Sequence, residues 1–400
     1  MSELKTINRF RFLKLNQERQ KAIEQASTKP VNPGYPVGQL AKKLHPQVQH
    51  VKISAIKEWD QNCKTFTLVP DETRATPNLA FFQAGAYISV RLQVGQTILT
   101  RPYSLSSSPR QALAGQYQIT VKRVPKGLAS NYLLDHCSVG TQLTVSGPLG
   151  NFTYLPIRDA HTVVGIAGGS GITPFYSLAQ AIADGDEDCR LILLYGSRTV
   201  DDILFRQEFQ ELEKRSDRLQ VVNVLSDEER PGYEHGFISA DLVKKYAPQK
   251  EDYSIFMCGP QGMYQFMDKE LQKLHLAKKW LRQEVQGEAH DPHAFSDYPN
   301  QANIPATVHI NVDINGEHKT ITASSQQTIL QSLEKNGIAA PAHCRSGECG
   351  WCHSHLVSGK VFCPLQMDHR RAADQEFHYI YLCCTYPLSD LTIQVPQPEM

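Results

Sequence analysis

The chain has 400 residues, enough for two or three domains, because a single hydrophobic core stops growing near roughly 250 residues. Its 41 Lys and Arg offset its 41 Asp and Glu, so no net charge argues for nucleic acid or an anionic membrane as partner. No run approaches the roughly 18 apolar residues of a membrane span, and the basic Lys5, Arg9 and Arg11 precede no apolar signal core, which leaves a soluble, multidomain, cytoplasmic protein as the expectation.

Residues 1–47 read as an arm, with a short polar helix over Asn16–Ala26 and then the Pro- and Gly-rich stretch Lys29–Pro36, expected to pack on the next domain. Between 48 and 157 short alternating segments are separated by turn residues: Val51–Ile56, Thr65–Val69, Tyr87–Val94, Gln118–Lys122 and Gln142–Val145. That rhythm predicts an antiparallel β-barrel, with one helical run at Leu128–Leu134. Between 158 and 287 the rhythm becomes strand–helix alternation. Strands are expected at Val163–Ala167, Leu191–Tyr195, Gln220–Leu225 and Ser254–Met257, with helices at Pro174–Ala183, Ile203–Lys214, Ala240–Tyr246 and Gly262–Leu276. This is the pattern of a parallel α/β sheet. Residues 288–303 lack periodicity and read as a linker. A small α+β domain is expected over 304–400, from Thr307–Ile314, Lys319–Thr322, a helix at Thr328–Asn336, a cysteine loop and Leu391–Val395.

Ten cysteines are the abnormal count, and six of them crowd into the last domain. Clustering in a chain without a visible signal points to metal rather than disulfides. The spacing Cys344-x4-Cys349-x2-Cys352, followed at a distance by Cys383, is that of a plant-type [2Fe–2S] site, with four thiolates for two irons. Gly347 and Gly350 let the backbone wrap tightly and aim N–H groups at sulfur. Zinc is the competing metal, through Cys349 and Cys352 with His353, His355 or His369, but the x4 spacing and the paired glycines fit an iron loop better. The segment resembles plant-type ferredoxins, which are β-grasp domains. The resemblance aligns Cys383 with the family's fourth ligand, through Pro387, in preference to Cys384. Trp351 departs from the small residue usual at its position.

Three further motifs lie in the barrel region. Arg101-Pro-Tyr103-Ser104-Leu-Ser-Ser107 could supply a phosphate clamp, a stacking face and a hydrogen bond to a flavin ring. Lys126-Gly127-Leu-Ala-Ser130 places Gly and Ser at a helix N-terminus suited to a pyrophosphate, and Gly147-Pro-Leu-Gly150-Asn-Phe152 closes the barrel. In the α/β region Gly168-Gly169-Ser170-Gly171-Ile172-Thr173-Pro174 is a glycine turn between strand and helix. Gly169 and Gly171 would allow a dinucleotide close to the backbone, Thr173 would cap the helix, and Pro174 suits its first position. Cys258-Gly259-Pro260 ends the fourth strand, at the carboxyl edge where α/β sheets bind ligands.

Together these motifs resemble the ferredoxin–NADP reductase superfamily over residues 50–285. The resemblance implies that Tyr103 stacks on a flavin, that Ser104 sits near its N5, and that Arg101 and Ser130 hold phosphates. It also implies that Cys258 lies beside the nicotinamide C4 and that Glu284 approaches the flavin. The tyrosine that follows this acid in plant members is replaced here by Gln286. A helix of this type favours FAD. Arg198 could read a 2′-phosphate, but Ser226-Asp227-Glu228-Glu229 at the usual reading position would repel one, so NADH is favoured over NADPH.

The three modules imply an ordered route in which hydride passes from nicotinamide to FAD and single electrons go on to the cluster and a separate acceptor. Plant-type clusters sit near about −400 mV. The domain order resembles the reductase component of an oxygenase. A flavin and iron–sulfur wire, or a redox-sensing subunit of a larger complex, is the alternative.

Overall fold

The computed structural model describes residues 9–26, 35–284, 291–299 and 304–397. The chain forms two units, residues 1–44 and 45–400. The first carries helices α1 (Arg9–Glu24) and α2 (Pro36–Leu44). Helix α1 starts seven residues before the expected Asn16, and most of the Lys29–Pro36 stretch lies outside the described residues.

The second unit opens with β1 (Val48–Asp60), β2 (Cys63–Pro70), β3 (Tyr87–Val94) and β4 (Thr97–Ser104). It continues through α3 (Pro109–Leu113), β5 (Tyr117–Lys122), α4 (Leu128–His136) and β6 (Gln142–Ser146). The strands pair antiparallel in the order β4-β3-β6-β1-β2-β5. An isolated bridge from Leu105 to Ile119 draws the two end strands together, so the sheet curls around a core that includes Ile88, Val90, Phe66 and Val145.

The α/β part follows with β7 (Thr162–Gly168), α5 (Thr173–Asp184), β8 (Arg190–Ser197), α6 (Arg206–Arg215) and β9 (Leu219–Leu225). It ends with β10 (Glu234–His235), α7 (Ala240–Tyr246), β11 (Tyr253–Cys258), α8 (Gln261–Gln272) and β12 (Leu281–Gln283). All six strands run parallel in the order β10-β9-β8-β7-β11-β12. Every residue of β7 is buried, as a central strand covered on both faces requires. The order reverses between β7 and β11, so their carboxyl ends form a switch-point crevice. The short strands β10 and β12 carry too few residues to show any periodicity in the sequence.

The last part contains β13 (Thr307–Ile314), β14 (Glu317–Ser324), α9 (Ile329–Lys335), β15 (His353–Ser358) and β16 (Val361–Phe362). After them come α10 (Ala372–Glu376), β17 (Tyr379–Tyr381), β18 (Tyr386–Pro387) and β19 (Leu391–Gln394). Five strands make a mixed sheet, β14-β13-β19-β15-β17, and β16 pairs with β18. Thr328 caps α9 through a reciprocal pair of bonds with Gln331. Inside the expected linker, Pro292–Ala294 forms a turn and Phe295 is buried in the core of this last part. Tyr298 packs against the same core and Asp297 accepts the Leu365 N–H, so several side chains tie this aperiodic stretch down. Among the described residues no helix is long and apolar enough to cross a membrane.

Candidate active site and cluster loop

The carboxyl edge of the parallel sheet meets the barrel at three side chains. Ser104, the last residue of β4, is buried, and its hydroxyl donates to Glu284 Oε2 at 3.2 Å. Cys258, the last residue of β11, directs its thiol to the same oxygen at 3.7 Å. Burial and the neighbouring carboxylate push the Cys258 pKa well above its ordinary value, so the sulfur is a thiol and a donor. The Glu284 backbone extends the β11–β12 ladder, its N–H donating to Met257 O at 2.9 Å. Tyr264, on α8, donates its hydroxyl to the Glu284 carbonyl and accepts the Gly259 N–H at 3.2 Å.

The strand bearing Glu284 is anchored by a buried ion pair that no sequence motif announces. Arg282, on β12, binds Asp159 through bonds of 2.9 and 2.6 Å and donates to the carbonyls of Asn151 and Thr153. The guanidinium also lies over Phe256, 5.2 Å from the ring centre. One cation therefore joins the end of the barrel to the edge of the parallel sheet.

The structure places the remaining expected residues variously. Tyr103 is half-buried against the barrel core, on the same strand as Ser104. Arg101 faces Glu334 of the last part, 3.3 Å away, and donates to the Thr100 carbonyl at 2.9 Å. The Ser107 hydroxyl accepts the Gln118 N–H, and the Ser107 carbonyl accepts the hydroxyl of Ser177 on α5 at 2.7 Å. Ser130 Oγ accepts the Val124 N–H at 3.1 Å, closing the loop before α4, and Gly127 is the N-cap residue. The first-turn N–H groups of α4 remain a suitable cradle for phosphate.

The glycine turn after β7 divides its roles. Gly169 has φ +52, and a Cβ there would meet nothing closer than Lys122 Nζ at 4.0 Å, so its face is open to a ligand. At Gly171 a Cβ would come 2.2 Å from Cys258 O; this glycine serves the packing of two loops. Gly168 and Gly259 likewise crowd Met263, and Pro260 is the N-cap of α8. The capping role expected of Thr173 is corrected: a 3-10 turn, Gly169–Ile172, precedes α5, and the Thr173 hydroxyl donates to Ser170 O at 3.1 Å. Arg198 is paired with Asp227 at 2.8 Å, while Glu228 accepts the Val200 N–H. Gln286 lies outside the described residues.

In the cysteine loop the thiols of Cys349 and Cys383 act electrostatically on that of Cys344, and those of Cys352 and Cys384 on that of Cys383. Backbone N–H groups of Ser346 and Cys349 point at Cys344 Sγ at 3.5 and 3.3 Å. Gly347 and Gly350 have φ of +82 and +68, and a Cβ on Gly347 would strike Met367 O at 2.5 Å. Thiols gathered in pairs, with N–H donors aimed at sulfur, fit a [2Fe–2S] group. The Cys384 sulfur lies 3.7 Å from that of Cys363 and sits under the same loop, 3.1 Å from where a Cβ on Gly347 would stand. His353, a candidate zinc ligand, bonds Asp374 at 3.1 Å and stacks on Tyr379. Among the described residues no three His, Cys, Asp or Glu side chains converge as a single ion requires.

Three known domain families match the chain: an oxidoreductase FAD-binding domain over 50–154, an oxidoreductase NAD-binding domain over 166–269, and a 2Fe-2S iron-sulfur cluster binding domain over 312–388. The glycine betaine monooxygenase reductase subunit of Pseudomonas aeruginosa is 28% identical over 356 residues, 85% of this chain and 93% of that protein. The ferredoxin reductase component of 3-ketosteroid-9-alpha-monooxygenase from Mycobacterium tuberculosis is 32% identical over 356 residues, 86% and 94% of the two chains. The solved structure of phthalate dioxygenase reductase covers 88% of this chain and 98% of its own, with a TM-score of 0.61 at 22% identity, a likeness of fold.

Proposed function

Since this chain belongs to the ferredoxin–NADP reductase family, in the branch with a C-terminal [2Fe–2S] domain, we propose that it takes hydride from NADH onto FAD and delivers single electrons through the cluster to a separate oxygenase component. The chain is an NAD(P)H-dependent flavin and iron–sulfur oxidoreductase, and its cofactors are FAD, NAD(H) and one [2Fe–2S] cluster. When bound, the flavin accepts a pair of electrons and returns them singly, which matches a two-electron donor to a one-electron carrier.

The observation that carries the reading is the meeting of Ser104 and Cys258 on one Glu284 oxygen, at the seam of the barrel and the parallel sheet. Ser104 and Cys258 each present a polar hydrogen there, and Glu284 orients both. Hydride transfer needs donor and acceptor held roughly 3–3.5 Å apart, with no general acid or base, and a buried, ordered trio suits that task. Tyr264 fixes the Glu284 backbone, and Arg282 fixes the strand behind it. Thiolates of Cys344, Cys349, Cys352 and Cys383 would hold the cluster.

NADH is assigned over NADPH because Asp227, in the loop just after β9, would accept from a ribose hydroxyl and repel a 2′-phosphate, and Arg198 is already paired with it. A cytoplasmic location belongs to the same proposal, supported by a cysteine-rich cluster site rather than a disulfide framework. The test is anaerobic mixing with NADH or NADPH, followed at flavin and cluster wavelengths. Flavin bleaching by NADH followed by cluster reduction supports the reading. No turnover with either nucleotide would instead identify a wire or sensing subunit.

A further inference from the structure

Strand β4 ends the barrel sheet, so one row of its backbone groups has no strand partner, a row that proteins cover or blunt. At Thr100 the cover comes from the iron–sulfur domain. The Thr100 N–H donates to Glu334 Oε1 at 3.2 Å, and the Thr100 carbonyl accepts from Arg345 Nη1 at 3.1 Å. A carboxylate and a guanidinium thus supply the acceptor and donor that a neighbouring strand would.

Glu334 and Arg345 are themselves joined by two bonds, of 2.6 and 2.9 Å, and are exposed by only 5% and 1%. Burial raises the Glu334 carboxyl to about 7 against the pull of Arg101 and the Thr100 N–H, while Arg345, a group that stays protonated in proteins, faces it bidentately. Arg345 directly follows the cluster cysteine Cys344 and has φ +61, in the left-handed region. A non-glycine residue persists there when its surroundings over-determine it. Just beyond α9, Gly337 presses on the turn between β3 and β4, where a Cβ would lie 2.9 Å from Gln96 O. The contact thus holds β4 at Thr100 and at the turn that leads into it, and the same strand carries Tyr103 and Ser104.

We propose that the Glu334–Arg345 pair is a positioning device that seats the cluster loop on the flavin-binding strand and so sets the rate at which electrons leave the flavin for the cluster, without acting on the hydride step. It rests on the electron route proposed above and names the residues that align its second half. Glu334 acts through Arg345 and β4, away from the Ser104–Glu284–Cys258 trio.

The test compares full-length holoprotein with Glu334→Gln by two readouts. One is stopped-flow absorbance with NADH, resolving flavin bleaching from cluster reduction. The other is hydrogen exchange across Thr97–Ser104 without nucleotide. The expected result is flavin bleaching at the wild-type rate, cluster reduction slower by on the order of ten- to a hundredfold, and faster exchange at Thr100, with Glu334→Asp recovering part of both losses. Wild-type behaviour of Glu334→Gln in either readout overturns the proposal. If that variant does not fold, Gly337→Ala, which forces α9 away from Gln96, is measured in the same two ways, and wild-type behaviour in either again overturns the proposal. A wild-type protein whose flavin bleaches while its cluster stays oxidised would overturn the electron route itself, and the exchange readout would still test the latch.

Discussion

The Ser104 hydroxyl donates to the Glu284 carboxylate at 3.2 Å, joining the last residue of a barrel strand to the residue that directly follows the edge strand of the parallel sheet. The two belong to different sheets, so their distance reports how the halves are seated. Glu284→Gln keeps the size of the side chain and removes its charge. Because misplacement of reacting groups by about 1 Å costs on the order of a hundredfold, hydride transfer from NADH is expected to slow by about ten- to a hundredfold in this variant. The NADH KM is expected to change little. Single-turnover flavin bleaching measures the first and steady-state kinetics the second.

Cys258 supplies a pH prediction. Burial is the largest cause of its raised pKa, and the Glu284 carboxylate adds to it. Raising a thiol's pKa favours the neutral form, so the thiol persists to higher pH than a free cysteine near about 8.5. The rate of flavin reduction by NADH should therefore show no thiolate limb up to about pH 9. Cys258→Ser should give a slower rate with an unchanged profile shape. A limb near the ordinary thiol pKa that vanishes in the serine variant would contradict this picture.

The Arg282–Asp159 pair is enclosed, with side chains exposed by 4% and 0%. Removing one partner leaves the other charge buried without compensation, which costs about 3–5 kcal/mol. Asp159→Asn is expected to lower the urea midpoint accordingly, in an unfolding titration of the loaded protein. Arg282→Met with Asp159→Leu, which removes both charges, should recover much of the loss.

Nucleotide choice is tested at Asp227. Its charge is partly offset by Arg198, at 2.8 Å, so Asp227→Ser both removes the repelling carboxylate and releases that guanidinium. The ratio of kcat/KM for NADPH to that for NADH is expected to rise on the order of tenfold. An unchanged ratio would remove Asp227 from the specificity site.

Much of this architecture is legible in the sequence because its periodicities are strong. The strand Tyr87–Val94, the helix Ala240–Tyr246 and the strand Thr307–Ile314 start and stop at turn residues, and the structure draws them with the same limits. What escapes the sequence is what depends on distant partners. Glu334 looks like an ordinary helix acid until α9 meets β4, and Asp159 and Arg282 become a pair only through folding. Strand β15 shows no clean alternation because His353 and His355 pack on Tyr379 instead of on an apolar neighbour. Thr173 misleads for a local reason: the 3-10 turn ahead of α5 takes the place where a capping hydroxyl would act.

The central claim, that paired electrons enter at the flavin and leave singly through the cysteine loop, is tested most directly by Cys349→Ser. This residue is the exposed member of the four-thiol set, so its substitution disturbs packing least. The folded variant, mixed with NADH under anaerobic conditions and then assayed with cytochrome c, should bleach its flavin at the wild-type rate and lose one-electron output. Loss of flavin bleaching together with the output, or full cytochrome c reduction without the cluster, would contradict the account.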